Sequence, residues 1–457
     1  MGKGCIFAPP ENNMQVNLSN RQVFSIAGPI CLALILPQVN HMTNAAFLGH
    51  LGEFPFAVNG IAGIYYLVMY MIAHGLNNGL QVLFARRAGE LNYTGMGRYF
   101  SNGIVLALVF SSFAVTATSL FVPAFFGRTL HDPAIREAAA AFMRIRIWGL
   151  PFLMLMGLCN ALYIGTSHTR LLVITSLFQE VLNIVLDYGL IFGKMGLPQL
   201  GLNGAAYASV MAEITGCAVA FAMIFGLKFH RTYHLFARLK PDWAAIRNIL
   251  TISAPLIVQF LFSIGSWLIF FIFIEHLGQR PLAISNMMRS IFGLFGIFTW
   301  ALAATCNTMV SNLIGQGKEE DVLKMVRKIA GFAIICAMGV SLLINLFPYQ
   351  LLRIYTADLT MITEAIPSIR VCTLVTLLSA VTAIVFNGVT GTGNTRINLA
   401  IEFAAVAIYL VYCVIVIERW RSPLHWAWGA EFVYWTTMCL LALWYLRSGK
   451  WKGKVIN

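Results

Sequence analysis

The chain reads as an all-α polytopic membrane protein, with about twelve transmembrane helices in two pseudo-symmetric six-helix lobes. Three observations predict this. Hydrophobic residues make up 59% of the 457 and charged residues 11%, against roughly a quarter charged in ordinary soluble domains. Apolar runs rich in Leu, Phe, Ile and Ala recur along the whole chain, near or above the roughly 20 residues a membrane helix needs. They lack the polar/apolar alternation of a barrel strand. Finally, the second half repeats the first in one constant register without a gap, beginning with Pro29 on Pro255 and Phe47 on Phe273.

Helices are expected near 24–48, 56–84, 98–122, 134–164, 170–193 and 203–227, then near 248–275, 282–310, 325–348, 361–389, 396–417 and 426–447. The repeat fixes their punctuation. Pro29 and Pro255 fall in the first helix of each set, where the lost backbone hydrogen bond bends the helix. His50-Leu51-Gly52 and His276-Leu277-Gly278 close those helices, and Pro55 and Pro281 precede the second. Gly89 and Gly315, Asp132 and Asp358, and Arg144 and Arg370 continue the register. Gly165-Thr166 with Thr169-Arg170 matches Gly391-Thr392 with Thr395-Arg396, in a short turn between the fourth and fifth helices of each set. The implied domains are an amino-terminal lobe (1–227), a polar basic connector (228–247) and a carboxy-terminal lobe with its tail (248–457). Six is even, so both lobes enter the bilayer from one side and the repeat is parallel. Duplicated halves in so apolar a chain are the usual build of a secondary transporter with its site between them.

The net charge of +13 has an account other than nucleic acid. Assigning loops alternately places 20 Lys and Arg on the side of both termini and 11 on the other. By the positive-inside rule both termini are cytoplasmic. The connector, with Lys228, His230, Arg231, His234, Arg238, Lys240, Pro241 and Asp242, reads as a passive linker on the inner surface. The polar segment before Phe24 lacks a signal-peptide layout, and Ile6 stands where a myristoylation motif needs Ser or Thr. Nine cysteines occur singly, all but Cys5 within or beside apolar runs, with no CxxC pair. That spacing favours neither a metal site nor a disulfide framework.

Several local patterns resemble the multidrug and toxic compound extrusion (MATE) family. They are Phe47-Leu48-Gly49-His50-Leu51-Gly52-Glu53, the loop Arg86-Arg87-Ala88-Gly89-Glu90, its counterpart Asn312-Leu313-Ile314-Gly315-Gln316-Gly317, Asn183-Ile184-Val185-Leu186-Asp187-Tyr188, Gly204-Ala205-Ala206 and the paired Gly-Thr-x-x-Thr-Arg turns. In this order they cover nearly the whole chain. The resemblance implies a V-shaped pair of lobes in a bacterial inner membrane, exporting bulky organic cations in exchange for protons or sodium. The amino-terminal stripe is more similar to the DinF-like branch than to the NorM-like branch.

Charges inside the bilayer cost at least roughly 2.5–3.5 kcal/mol each, so buried carboxylates need a reason. Glu180, Asn183 and Asp187 lie at i, i+3 and i+7 and share one helical face. At ~1.5 Å per residue Asp187 falls roughly 9 Å outward of its helix midpoint. Ser209, Glu213, His41 and Asn44 fall at similar depth, so all seven are expected to converge on one cation-coupling pocket. A carboxylate in a low-dielectric cavity is suited to proton exchange. The resemblance carries coupling roles onto Asn183, Asp187 and Ser209, the last where the family often has Thr. It also exposes a departure: Asn44 stands where the family usually has Asp. Three readings stay open: Asp187 with Glu180 carries the cation, His41 replaces the lost titrating group, or the pocket is structural in a differently driven transporter.

In the carboxy-terminal lobe Arg289 is expected to form a structural ion pair with Glu275 or Glu431. Ser263 stands where NorM-like relatives often have Glu, which favours protons over sodium. Tyr65, Tyr66, Tyr70, Phe260, Phe262, Trp267, Phe292, Phe295, Trp300, Met69, Met71, Met287 and Met288 could serve an organic cation, or pack against helices and lipid. A lipid-linked substrate flippase is disfavoured because Arg144, Arg146, Arg289 and Arg370 cluster toward the outer end. An enzyme is disfavoured because neither HExxH nor GxSxG occurs. No cofactor or metal is expected. The partners are a small organic substrate and the lipid bilayer, without nucleic acid, for a chain acting as a monomer.

Overall fold

The computed structural model describes residues 14–237 and 240–454. The expectations placed on Cys5, Ile6 and Arg238 lie outside these residues. Among the described residues the ordered elements are all helices: α1 (Asn20–Leu51), α2 (Glu53–Gly89), α3 (Tyr93–Thr129), α4 (Pro133–Arg146), α5 (Leu150–Gly165), α6 (Arg170–Phe192), α7 (Leu202–Gly226), α8 (Phe229–Thr232) and α9 (Trp243–His276). There follow α10 (Gln279–Gly315), α11 (Val322–Leu346), α12 (Pro348–Arg353), α13 (Leu359–Gly391), α14 (Thr395–Cys413), α15 (Leu424–Ala427) and α16 (Gly429–Ser448). Among the described residues, eleven helical spans are long and apolar enough to cross a membrane. The twelfth expected span forms as α16 but is not among the eleven, because Glu431, Trp435, Thr436 and Thr437 lower its hydropathy.

The repeat is visible in the geometry of the turns. Gly52 and Gly278 have φ of 122° and 118°, a region that favours glycine. Pro55 and Pro281 then sit in the first turn of α2 and α10, where a missing N–H costs nothing. The side chain of Asp132 caps α4 by accepting from the N–H of Ala134 and Ile135, and Asp358 caps α13 through Thr360 and Met361. At Gly165 a Cβ would lie 2.7 Å from Phe84 Cβ, and at Gly391 one would lie 2.6 Å from the Asn307 carbonyl oxygen. Both turns need the bare backbone.

Two expectations about boundaries change. Arg86 to Gly89 and Asn312 to Gly315 are not loops but the last turns of α2 and α10. Arginine is a good helix former, and a cation suits the carbonyl end of a helix. The expected fourth helix is also split: α4 ends at Arg146, a tight 3-10 turn spans Ile147–Gly149, and α5 restarts with Pro151 in its first turn. Proline cannot donate to the carbonyl four residues back, at Ile147, so the regular hydrogen bonding is interrupted there and the chain tightens into the 3-10 turn.

The chain forms two compact units, and they do not divide at the connector. The first comprises Gly28–Ile257 with residues 14–16, the second Asn17–Ala27 with residues 258–454. The connector is therefore built into the first unit rather than lying passively on a surface. Its Phe229, Tyr233 and Leu235 are buried, and Phe236 packs edge-on against Phe100 with ring centres 5.6 Å apart. The beginning of α9 joins the same unit because α2 offers it glycines: a Cβ on Gly79 would overlap the Ser253 side chain. Asp242 fixes the entry to α9. Its carboxylate accepts from Ala244 N and Ala245 N at 3.0 and 3.2 Å and from Arg98 Nε at 2.6 Å, while its own N–H donates to Asn102 Oδ1 at 2.8 Å. In the second unit Lys328, which the repeat matches to Asn102, donates to the carbonyl of Leu18 before α1.

Candidate coupling site in the amino-terminal unit

The stripe on α6 meets two amides on α1. Asn40 and Asn44 are one helical turn apart and so share a face. Asn40 Nδ2 donates to Glu180 Oε2 at 2.5 Å, and Asn44 Nδ2 donates to Asp187 Oδ2 at 3.0 Å. Gln179 Nε2 adds a bond to Glu180 Oε1 at 3.3 Å. Glu180, Asn183 and Asp187 are all buried, Asp187 completely. Neither carboxylate forms an ion pair among the described residues.

The hydrogen bonding is unbalanced. Asn40 Oδ1, Asn183 Oδ1 and Asp187 Oδ1 are all buried without a donor. Buried acceptors are normally satisfied, and each orphan oxygen costs roughly 1–3 kcal/mol. A surplus of oxygens without donors is what a site for an exchangeable proton or small cation requires. No group of three or more His, Cys, Asp or Glu suited to a metal ion occurs among the described residues.

Glu213 joins a different cluster. Arg146 holds it with two parallel bonds, Nη1 to Oε2 and Nη2 to Oε1, both 2.7 Å. Tyr66 OH donates to the same Oε1 at 3.1 Å, and the guanidinium carbon lies 3.8 Å from the centre of the Tyr66 ring. Three local features make this possible. The break at Pro151 ends α4 at Arg146; Gly149 leaves room, since a Cβ there would overlap Glu213 Oε2; and α7 buries Glu213 to 3% exposure. Glu213 is thus neutralised by a fixed cation. Of the other expected members, Ser209 is half-buried and makes none of these bonds, and His41 is exposed, turned off the face that Asn40 and Asn44 share. Asn40 and Arg146 escape sequence reasoning, because cross-helix partners leave no mark along the chain. The four-residue spacing of Asn40 and Asn44 is the one available signal.

The expected ion pair in the second unit is corrected. Among the described residues Arg289 pairs with neither Glu275 nor Glu431; it is exposed, with its guanidinium 5.3 Å from the Phe271 ring centre. Glu431 faces inward and accepts from Tyr409 OH at 3.3 Å and Trp435 Nε1 at 3.0 Å. Glu402 accepts from Tyr434 OH at 2.7 Å. The ion pairs of this unit lie nearer the ends of its helices, where Arg280 meets Glu364 at 2.6 Å and Asp358 at 3.4 Å, and His276 meets Glu418. Of the aromatic candidates, Tyr65 bonds to Thr118 at 3.0 Å and Tyr70 stacks on His74. Met287 lines an open cleft with Asn286, Ser290 and Tyr355, while Met288 is fully buried.

Comparison with known proteins places this architecture. The family model for MatE matches residues 29–189 and again 255–415, the offset of the repeat. The probable multidrug resistance protein NorM of Thermotoga maritima is 24% identical over 442 residues, covering 95% of this chain and 94% of that protein. The multidrug resistance protein NorM of Burkholderia vietnamiensis is 24% identical over 339 residues, covering 72% of this chain and 71% of that protein. Among solved structures, a MOP superfamily transporter from Pyrococcus furiosus superposes with a TM-score of 0.87 at 15% identity, covering 95% and 96% of the two chains. A MATE protein in a straight conformation gives 0.86 at 18% identity, covering 95% and 97%. These likenesses, a doubly matched family model and an apolar two-unit helical fold together mean that the chain belongs to the MatE family and is a multi-pass membrane transporter rather than an enzyme.

Proposed function

We propose that the protein is a secondary antiporter that exports amphipathic or cationic organic compounds in exchange for protons, and that Asp187 and Glu180 carry the proton. The observation that supports this most is Asp187 itself: fully buried, bonded by one amide, with its second oxygen lacking a donor. An ionised carboxylate so placed is costly, whereas a proton on it supplies the missing donor to a neighbouring orphan oxygen. Asn44 does not titrate, so it orients Asp187 and leaves the exchange to the two acids. Asn183 offers an acceptor between them. A proton entering down 100 mV supplies about 2.3 kcal/mol, enough to drive substrate outward when the two favour different states. The names of the relatives support drugs as substrates. They also carry the NorM name, so the DinF-like placement rests on the amino-terminal acids alone. The bias of basic residues supports cytoplasmic termini in a bacterial plasma membrane, with a single chain as the working unit.

Dye export from everted vesicles under separately imposed gradients tests the proposal. A pH gradient is expected to drive export by the wild type, and Asp187→Asn is expected to abolish it while the variant inserts normally. Undiminished export by Asp187→Asn removes that residue from the mechanism. Export that follows a sodium gradient with the pH gradient collapsed replaces the proton with sodium.

A further inference from the structure

Glu213, Tyr66 and Arg146 form more than a structural ion pair. A carboxylate that accepts two parallel N–H bonds, beside an aromatic face 3.8 Å from the guanidinium carbon, is a complete recognition site for a planar organic cation. The protein fills that site with its own side chain. We propose that Glu213 and Tyr66 constitute an organic-cation subsite, selective for guanidinium and related planar cations, which Arg146 occupies as a built-in competitor.

Three observations separate this from ordinary packing. The carboxylate is the more buried half of the pair and the guanidinium the more exposed. The Glu213 side chain, 4% exposed, lies on the unbroken helix α7 and is fixed by Tyr66 OH, whereas the Arg146 side chain is 15% exposed and its residue is the last before the 3-10 turn Ile147–Gly149. Access to the carboxylate therefore runs through the position of the guanidinium. The space is also specifically kept open by Gly149, where a Cβ would overlap Glu213 Oε2 and stand 2.8 Å from Arg146 Nη1. Lastly, the arrangement has no counterpart in the repeat. The residues that the repeat matches to Arg146, Gly149 and Tyr66 are Cys372, Val375 and Phe292, so the fold itself does not require an arginine here. The subsite stands on this geometry, and it relies on the proposed transport function only for the idea that such cations are cargo.

The test is equilibrium binding of phenylguanidinium to the purified full-length protein, read by thermal shift and by displacement of bound probe. Arg146→Ala vacates the subsite and leaves Glu213 unpaired. It is expected to melt well below the wild type and to be restored by phenylguanidinium, with binding about tenfold or more tighter than to the wild type, the gain of one charge-assisted pair. Adding Glu213→Gln to Arg146→Ala is expected to remove both the tighter binding and the restoration. Arg146→Met guards against loss of packing alone: it keeps the stem of the side chain and is expected to bind phenylguanidinium as Arg146→Ala does. Binding by both variants no tighter than by the wild type, or restoration that survives Glu213→Gln, overturns the assignment. Binding needs no ion gradient, so loss of proton coupling in Asp187→Asn would leave this result standing.

Discussion

The two units share a framework but not a chemistry, and the difference is informative because the repeat holds one register. Gly52 and Gly278 adopt the same unusual φ, and Asp132 and Asp358 cap equivalent helices. Carry the polar groups of the first unit across in that register, however, and the chemistry changes. Asn44 becomes Phe270, Arg146 becomes Cys372, Asn183 becomes Tyr409 and Asp187 becomes Cys413. The second unit places its buried carboxylates elsewhere, at Glu402 and Glu431, and holds them with phenol and indole donors, where the first unit adds amides and an arginine to the phenol of Tyr66. The turn-making features at Gly52 and Gly278 and at Asp132 and Asp358 are kept in both copies, although the break at Pro151 is not; side chains that handle charge differ. Duplication supplied the scaffold, and each half then acquired its own interior.

The sharpest break in this comparison is at Gly149. Its equivalent is Val375, within the unbroken helix α13, where Leu377 stands in place of Pro151. Gly149→Ala would drive a methyl group into the Arg146–Glu213 pair. Breaking a buried ion pair costs about 3–5 kcal/mol, and overpacking adds to it. The variant is therefore expected to lose at least about 3 kcal/mol, measured by thermal or denaturant unfolding in detergent. Val375→Ala removes only apolar atoms and is expected to cost about 1–2 kcal/mol. Equal losses at the two positions would mean that the pair contributes nothing particular to the first unit.

The next contrast is between Asn44 and Phe270. Asn44→Leu removes the one amide bonded to Asp187 and leaves the carboxylate without a partner. A hydrogen bond to such a group contributes about 1.5–3 kcal/mol, so pH-driven export is expected to slow on the order of tenfold. Phe270→Leu, a conservative change at the equivalent position, is expected to leave the rate unaltered. An Asn44→Leu variant that exports at the wild-type rate would show that orientation of Asp187 does not limit transport.

What was legible in the sequence follows the same division. Prolines, glycines and caps are readable because backbone geometry dictates residue type locally, which is why the helices and the repeat could be placed. The stripe of Glu180, Asn183 and Asp187 was readable because one helix presents it. Of its partners, Asn44 was grouped with it by depth and bonds Asp187, whereas Asn40, the donor to Glu180, lies far away along the chain on α1 and was missed. Depth alone grouped Glu213 with Asp187 and Arg289 with Glu431; it could not reveal that a turn at Pro151 aims Arg146 at Glu213, or that Arg289 faces outward. The connector misled for a similar reason: its basic residues look like a surface linker, yet the aromatic residues between them tie it to the first unit.

The smallest effect tests the entry to α9, where the two halves again differ. Asp242 pairs with Arg98 in the first unit, whereas its match in the repeat is Val16 and the second unit uses Lys328 on a backbone carbonyl. Bonding from Arg98, and then from the N–H of Ala245, holds the Asp242 carboxyl at about 2, below its ordinary 3.8. A lowered folded-state value means that the contribution is complete above the ordinary value and fades as the pH falls from about 4 toward about 2. Arg98 and Asp242 are 42% and 36% exposed, so solvent screening leaves the pair only about 0.2–1 kcal/mol. Asp242→Asn keeps the helix cap, because asparagine caps as well as aspartate, and removes the charge alone. Its melting temperature is expected to fall slightly below the wild type at neutral pH and to converge with it in that acid window. A difference that stays constant across the window, or none at neutral pH, would show that the charge of Asp242 does not contribute to stability.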